Sequence, residues 1–573
     1  MSERFDAVVV GSGFGGSVVA YRLALAGLRV CVLERGKAYP PGSFSRTPHD
    51  LNKNFWDPSE GRYGLFNLWS FNKMSAVVSS GLGGGSLIYA NVFIRKDDRW
   101  FSDPALGPSG QWPITRAELD PHYDAVERIV GTERYPLSYQ TDNKTSAMRE
   151  AARQLGIPET DGNGDPTKPQ WYLPLLAVTF TEPGAPEARP GRVFDPGENL
   201  HDMPRETCRK CGECDVGCNY GAKNTMDYTY LTRAKRAGAD IRTLSEVTKF
   251  APQQNGGYLV TYIAHDENTK THPGATAPSG ACEILADRLI ISAGTLGSTY
   301  LLLKMRDLDL LPNLSPALGT RFSGNGDLLM FATRCKDGAG SPRRLDASRA
   351  PVITSTFRFP DGEDDGSHAR GAYLQDAGYP LLLDYVWELL DKSWFARLMR
   401  AAASFIRREF TKDFAPEIDH QIETAIGEGT LSSTSMPLLG MGRDVPDGKM
   451  YTKRNPTTGV PWLELDWPVA QSQPYVNAAF AHGDAVTKAM GGSFGKNPMT
   501  WLFNDFVTVH PLGGCPMAND PALGVVDKNG EVFGHRGLYV ADGSVLPGPV
   551  GANPSFTIAA VADHIADQIL SLG

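Results

Sequence analysis

The chain has 573 residues, of which 41% are hydrophobic and 21% charged, and its net charge is −9. That length exceeds what one core supports and implies at least two domains, while the ordinary composition excludes disordered and fibrous classes. The acidic balance argues against nucleic acid as a partner, because phosphate binding needs a dense basic surface; small, neutral or membrane-borne substrates stay open.

Met1-Ser2-Glu3-Arg4-Phe5-Asp6 leads straight into a strand and has neither the regions of a secretory signal nor a twin-arginine leader. No apolar run reaches the roughly twenty residues of a spanning helix. A cytoplasmic chain with reduced cysteines is therefore expected. Ala7-Val8-Val9-Val10 is apolar and β-branched and feeds Gly11-Ser12-Gly13-Phe14-Gly15-Gly16, in which Gly11, Gly13 and Gly16 complete a GxGxxG pattern. The first glycine makes the tight turn, the second lets backbone approach a pyrophosphate, and the third lets helix pack on strand. A helix through Val18, Val19, Leu23 and Leu25 should stop near Gly27. The next strand, Arg29-Val30-Cys31-Val32-Leu33, ends on Glu34, placed to accept ribose hydroxyls and to disfavour a phosphorylated ribose. Strand, turn, helix and acid together point to dinucleotide binding rather than to a bare glycine loop.

Further along, Ser80-Gly81-Leu82-Gly83-Gly84-Gly85-Ser86 lets backbone amides approach a large planar or anionic group. Residues 96–200 are rich in Trp, Tyr, Pro and Gly, with helical stretches at Arg116–Val130 and Lys144–Leu155, and read as a cover over the cofactor. Then Cys208, Cys211, Cys214 and Cys218 fall within eleven residues, half of the eight cysteines in the chain. Cys-x2-Cys-x2-Cys-x3-Cys is the spacing of a bacterial ferredoxin loop. An iron-sulfur cluster fits it, and Gly212 and Gly217 leave amides free to approach inorganic sulfur. Structural zinc prefers two separated knuckles, and a metal-free thiol cluster is the third reading. In two-cluster ferredoxins the last cysteine of such a run serves the other cluster. The fourth ligand is therefore either Cys218 or a remote Cys282, Cys335 or Cys515, unless the centre has three irons.

Val247 lies in a strand-like stretch after Leu244, and Leu289-Ile290-Ile291 is a buried-type strand ending in the small-residue turn Ser292-Ala293-Gly294-Thr295. From about 325 to 500, strand-like Val352–Phe357 and Pro461–Leu465 suggest a mainly antiparallel sheet with helices. Trp394, Phe395, Leu398, Met399, Ala402, Phe405 and Ile406 share one helical face beside Arg397, Arg400, Arg407 and Arg408. That face suits packing on its own domain or peripheral contact with a membrane. Near the end stand His510-Pro511-Leu512-Gly513-Gly514, the strand-turn Gly537–Ser544 with Asp542 and Gly543, and Gly551-Ala552-Asn553-Pro554 before a closing helix. His535 and His564 have no such context and read as surface or capping residues.

As an ordered set, the N-terminal fingerprint, the GLGGGS segment, the SAGTLGS turn, and His510-Pro511-Leu512-Gly513-Gly514 with Asp542 and Asn553 resemble the glucose-methanol-choline (GMC) oxidoreductase family, and within it the bacterial cholesterol oxidase group. The resemblance implies a Rossmann-like α/β domain binding FAD (α+β overall), interleaved with a substrate domain on a mainly antiparallel sheet. Residues 1–95, 200–325 and 500–573 would form the FAD domain, with a cysteine-rich insertion at 204–226; 96–199 would cover it and 326–499 would hold substrate. Gly11, Gly13 and Gly16 would face the pyrophosphate and Glu34 the adenosine ribose. Gly83, Gly84 and Gly85 would line the flavin, Asp542 and Gly543 would meet the ribityl or pyrophosphate region, and the Val247 backbone would meet the adenine edge. His510 occupies the catalytic-histidine position, and Asn553 one that hydrogen-bonds the substrate oxygen or flavin edge. A neutral histidine suits removal of an alcohol proton while hydride passes to flavin.

Two departures stand out. The cholesterol oxidases use a glutamate from the substrate domain, for which Glu388 is the one apolar-flanked candidate here, and Tyr89 stands where steroid-oxidising relatives often carry asparagine. Some sugar-oxidising members of the superfamily carry an iron-sulfur centre in a comparable insertion. The resulting expectation is oxidation of a bulky apolar alcohol such as a 3β-hydroxysteroid, with electrons leaving to oxygen, a quinone or a redox protein, through a [4Fe-4S] or [3Fe-4S] cluster if one is present. A sugar or small-alcohol dehydrogenase and an electron-transfer flavoprotein are the alternatives; His510 and Asn553 favour catalysis, since a pure relay needs no proton acceptor.

Overall fold

The computed structural model describes residues 3–46, 52–106, 110–268, 270, 281–362, 370–381, 383–384, 430–457, 459–497 and 506–571. Glu388 and the basic amphipathic segment from Trp394 to Arg408 lie outside them.

The first sheet is the Rossmann-like one. Its strands run in the order Asp240–Arg242, Val30–Leu33, Glu3–Val10, Ala281–Ile291, Tyr258–Ala264, Ser245–Pro252. Glu3–Val10 pairs in parallel with Val30–Leu33 and with Ala281–Ile291. The eleven-residue Ala281–Ile291 strand is long enough to serve two neighbours along its other edge. Its first half pairs antiparallel with Tyr258–Ala264, and its last three residues pair in parallel with Leu538–Val540. The stretches Ala7–Val10, Val30–Leu33 and Leu289–Ile291 are buried at every position, which is why they read as continuous apolar runs without alternation. Helix Phe14–Leu25 packs on the closing helix Ser555–Ser571, which also packs on Arg116–Val130. Thr115 starts that last helix with a reciprocal capping box to Glu118.

The second sheet is antiparallel throughout, in the order Ser493–Lys496, Leu328–Thr333, Met436–Gly442, Ala372–Asp376, Thr356–Phe359, Gln170–Tyr172. Its last strand comes from the segment expected to form only cover. The strand expected from Val352 begins at Thr356 instead. The amides of Thr354 and Ser355 donate to the Asp376 carboxylate at 3.1 and 2.6 Å, so they are withheld from the ladder. Lys144, on the helix Asn143–Gln154, pairs with the same buried carboxylate at 2.8 Å.

A third, small sheet joins Phe66–Phe71, Met74–Ser79 and Phe506–Thr508, the last pairing in parallel with Met74–Ala76. It sets the strand that leads to His510 beside the strand that leads to the Ser80–Ser86 turn. Among the described residues, no helix is long and apolar enough to cross a membrane.

Candidate active site

The two glycine turns meet. A side chain on Gly84, whose φ is +55°, would put its Cβ 2.5 Å from Gly13 Cα. Gly83 N–H donates to Ser12 Oγ at 3.0 Å, and Ser12 Oγ donates to Glu34 Oε2 at 2.6 Å. The Ser12 and Gly36 amides complete the hold on this carboxylate at 3.1 and 2.8 Å. Burial raises the Glu34 pKa, and those donors work against the rise. The Glu34 carbonyl accepts from Ser245 N–H at 2.8 Å, which brings the Ser245–Pro252 strand, Val247 included, alongside the acid.

The fingerprint glycines divide by what demands them. A Cβ on Gly11 would lie 2.3 Å from the Ser292 carbonyl oxygen, and one on Gly16 2.1 Å from that of Gly11. The tightest position, Gly15, belongs to no motif letter: its Cβ would stand 1.6 Å from the Ala541 carbonyl oxygen. By contrast, Cβ atoms on Gly13 and Gly85 would meet nothing of the protein nearer than 3.8 and 3.9 Å. Protein packing does not require glycine at those two places, whereas close approach of a ligand to backbone does. The cradle thus fits a dinucleotide.

Asp542 lies at its floor with four donors on its carboxylate. Gly294 N–H and Ser298 Oγ serve Oδ2, and Ser544 N–H and Oγ serve Oδ1. The side chain therefore ties the 292–298 turn to the 542–545 turn, and burial raises its pKa. The Gly543 carbonyl accepts from Gly513 N–H at 3.1 Å, linking this floor to the loop after His510. The Thr295 hydroxyl is buried there without a hydrogen-bond partner among the described residues.

His510 is held by a residue that no motif announced. Its Nδ1 lies 2.7 Å from Asp327 Oδ1. Asp327 Oδ2 accepts from Thr508 Oγ1 at 2.8 Å, Val509 N–H at 2.9 Å and His510 N–H at 3.2 Å. Two residues earlier, buried Asn325 accepts the Val550 and Gly551 amides on Oδ1, both at 2.9 Å, and donates from Nδ2 to the Ala552 carbonyl at 2.9 Å. The segment 323–327 thus holds both the His510 loop and the loop that ends in Asn553. It is anchored in turn by buried Asp444, whose carboxylate takes Ser323 Oγ at 2.5 Å and Gly324 N–H at 2.9 Å, and whose pKa burial pushes up to about 7. Asn553 Oδ1 accepts from Gln375 Nε2 of the second sheet at 2.9 Å, which orients its amide.

Of the other two histidines, His564 corrects the expectation of a surface or capping role. His564 is buried inside the closing helix, edge-on to His122, and burial lowers its pKa. That helix is wedged between Phe14–Leu25 and Arg116–Val130 and leaves little outer face. His535 is half-buried, with Nε2 enclosed and unpartnered among the described residues.

Cys208, Cys211, Cys214 and Cys218 line one cavity, together with Gly212, Lys223 and Pro351; Cys282, Cys335 and Cys515 do not. Tetrahedral zinc, at about 2.3 Å from each sulfur, would draw them to about 3.8 Å apart. Lys210 N–H points at Cys208 Sγ at 3.4 Å, as donors to a thiolate do. Burial pushes the Cys208 and Cys214 thiols up, and that of Cys211 to about 12, so binding a metal must displace their protons.

This loop rests on the glycine turn. The Cys214–Val216 turn packs against Gly84–Leu87. Buried Lys223 donates to the carbonyls of Leu87, Tyr89 and Cys214 at 3.0, 2.8 and 2.8 Å. Tyr89 returns a bond from its hydroxyl to the Asn224 carbonyl at 3.0 Å, and its ring meets Phe14 edge-on.

A Rossmann-like sheet with a two-turn cradle at its strand ends, an anchored histidine and a covering antiparallel sheet defines a dinucleotide-dependent oxidoreductase. Residues 198–305 and 476–562 match family models described as GMC oxidoreductase, and residues 9–76 one described as an NAD(P)-binding Rossmann-like domain. The chain is 30% identical to a cholesterol oxidase of Mycobacterium tuberculosis, over 99% of its own length and 91% of that protein. It is 24% identical to a 2-methyl-1,2-propanediol dehydrogenase of Mycolicibacterium austroafricanum, over 99% and 95%. The solved structure of a pyridoxine 4-oxidase from Mesorbium loti superposes with a TM-score of 0.58 at 17% identity, covering 99% of each chain. The chain belongs to the GMC oxidoreductase family and is an FAD-dependent alcohol oxidoreductase.

Proposed function

We propose that this enzyme oxidises the CH–OH carbon of a bulky apolar alcohol of the 3β-hydroxysteroid type, with His510 as the proton acceptor. The observation that carries the reading is the single segment 323–327 that holds both the His510 loop and the Asn553 loop. When bound, FAD supplies the hydride acceptor. Gly11, Gly13 and Gly16 would hold its pyrophosphate, Glu34 the ribose, Val247 the adenine edge, Gly83, Gly84 and Gly85 the flavin, and Asp542 and Gly543 the ribityl or pyrophosphate region. The proton on His510 Nδ1 is fixed by an acceptor-only carboxylate, which leaves Nε2 to take the hydroxyl proton of the alcohol. Asn553, oriented by Gln375, hydrogen-bonds the same oxygen. Likeness to a cholesterol oxidase along the whole chain supports the sterol class. Likeness to the propanediol dehydrogenase supports a small alcohol as the second reading.

The cysteine cavity, in the same proposal, holds an iron-sulfur cluster on Cys208, Cys211, Cys214 and Cys218. A cluster in a loop seated on the Gly84–Leu87 turn suits electron delivery to a quinone or redox protein. Anaerobic mixing with sterols, aliphatic alcohols and diols, followed by loss of the oxidised flavin's visible absorption, tests the substrate class; sterols should bleach it fastest. His510→Gln should slow bleaching while FAD stays bound, and an unchanged rate would remove His510 from the role. Anaerobically purified protein should contain iron and acid-labile sulfide in stoichiometric amounts, and their absence would refute the cluster.

A further inference from the structure

We infer that Asp327 is a positioning residue for the reaction: it fixes the tautomer and direction of His510 so that Nε2, and not Nδ1, faces the alcohol. The inference rests on His510 being the proton acceptor. The carboxylate can only accept, so the 2.7 Å contact requires the proton on Nδ1. Its other oxygen is filled by Thr508 Oγ1 and the amides of Val509 and His510. Four donors from one short turn converge on one side chain. The histidine backbone and ring are therefore held by the same group, and neither can turn without the other.

Thr508 Oγ1 also lies 3.1 Å from the Gly324 carbonyl, and Leu512 and Ser323 exchange both backbone hydrogen bonds, at 2.9 and 3.1 Å. The turn is thus clamped to the segment carrying Asp327 on both sides of the histidine. When His510 takes the hydroxyl proton, the resulting imidazolium meets an ionised carboxylate already in place, as in acyl-transfer triads. The charge of Asp215 also reaches His510, but among the described residues Asp215 makes no hydrogen bond to the ring.

The discriminating variant is Asp327→Asn. The amides of Val509 and His510 cannot reverse their polarity, so the new amide oxygen must face them and its NH2 must face Nδ1. Nδ1 then accepts, the proton moves to Nε2, and the acceptor for the alcohol is lost. Anaerobic single-turnover bleaching by the alcohol should fall about 10²–10⁴-fold. FAD content, thermal midpoint and alcohol affinity should stay within about threefold or a few degrees of wild type, and the rate should stay low at every pH. A rate per bound FAD equal to wild type would overturn the inference, as would a loss explained wholly by lost FAD. Nitrogen NMR of histidine-labelled wild-type holoenzyme gives a test that needs no variant: Nδ1 should be protonated and Nε2 bare at alkaline pH, and the reverse would overturn the inference. If His510→Gln leaves the rate unchanged, the base assignment itself fails. If His510→Gln abolishes the rate and Asp327→Asn does not, only the positioning role fails.

Discussion

Gly13→Ala separates a glycine needed by the cofactor from one needed by the fold. Gly13 has φ −70° and ψ −163°, a conformation any residue adopts, and its Cβ would find the nearest protein atom at 3.8 Å. Alanine there should change the stability of the protein itself by less than about 1 kcal/mol, and in the favourable direction through chain entropy. A methyl group at the point of pyrophosphate approach should remove at least one charge-assisted hydrogen bond, worth about 1.5–3 kcal/mol. That is roughly a 10- to 150-fold weaker FAD complex. Gly15→Ala is the control, because its Cβ would overlap the Ala541 carbonyl oxygen at 1.6 Å and backbone cannot swing aside as a side chain can. The helix Phe14–Leu25 would have to withdraw by more than 1 Å from the Leu538–Val540 strand's end, costing about 1–3 kcal/mol or more. The assay is the FAD-to-protein ratio after gel filtration, with the thermal midpoint measured at saturating added FAD. Gly13→Ala should lose FAD on the column and regain the wild-type midpoint when FAD is restored, whereas Gly15→Ala should not regain it. A Gly13→Ala protein that keeps its FAD through gel filtration would refute the placement of the pyrophosphate.

His482 stacks face to face on Phe359 at 3.8 Å between ring centroids, and burial pushes its pKa down to about 4. Below its ordinary value of 6.5 the unfolded chain takes a proton that the folded one refuses, so stability should fall from pH 6.5 toward pH 4 by up to about 3 kcal/mol. His482→Phe keeps the stack and should flatten that slope in urea titrations; an unchanged slope would assign it elsewhere. Asp103 is buried and pairs with Arg370 and Arg443. Asp103→Ala takes the carboxylate from Arg370, while Arg443 keeps its pair with Asp361, and should cost about 3–5 kcal/mol, read as a drop in the urea midpoint. Lys223→Met removes the bonds joining the cysteine loop to Leu87 and Tyr89. FAD content should fall, together with the iron of the proposed cluster, and wild-type levels of both would show that the loops hold their groups independently.

Much of the framework was legible because its causes are local. A β-branched run, a GxGxxG turn and an amphipathic stretch ending at a glycine specify strand, turn and helix within thirty residues, and Glu34 follows from strand length. The boundary at Thr356 was not legible, since Asp376, twenty-two residues away, takes the two amides that a ladder would have used. His564 read as exposed because a helix's surroundings cannot be seen from within it. Gly15 has no place in the motif, yet the crossing of helix and strand makes it the most constrained glycine of the fingerprint.

The site divides in the same way. Sequence alone determined which residue types were present: glycine turns suited to a dinucleotide, a histidine suited to accepting a proton, and four cysteines carried by one short loop. Only the tertiary structure decided how these groups act together. Asp327 reaches His510 across 183 positions, Asn325 reaches Val550 across 225, and Lys223 ties Leu87 across 136. Contacts at such separations leave no periodicity in the chain, because they arise from where sheets and loops pack and from the need of buried polar groups for partners once water is excluded.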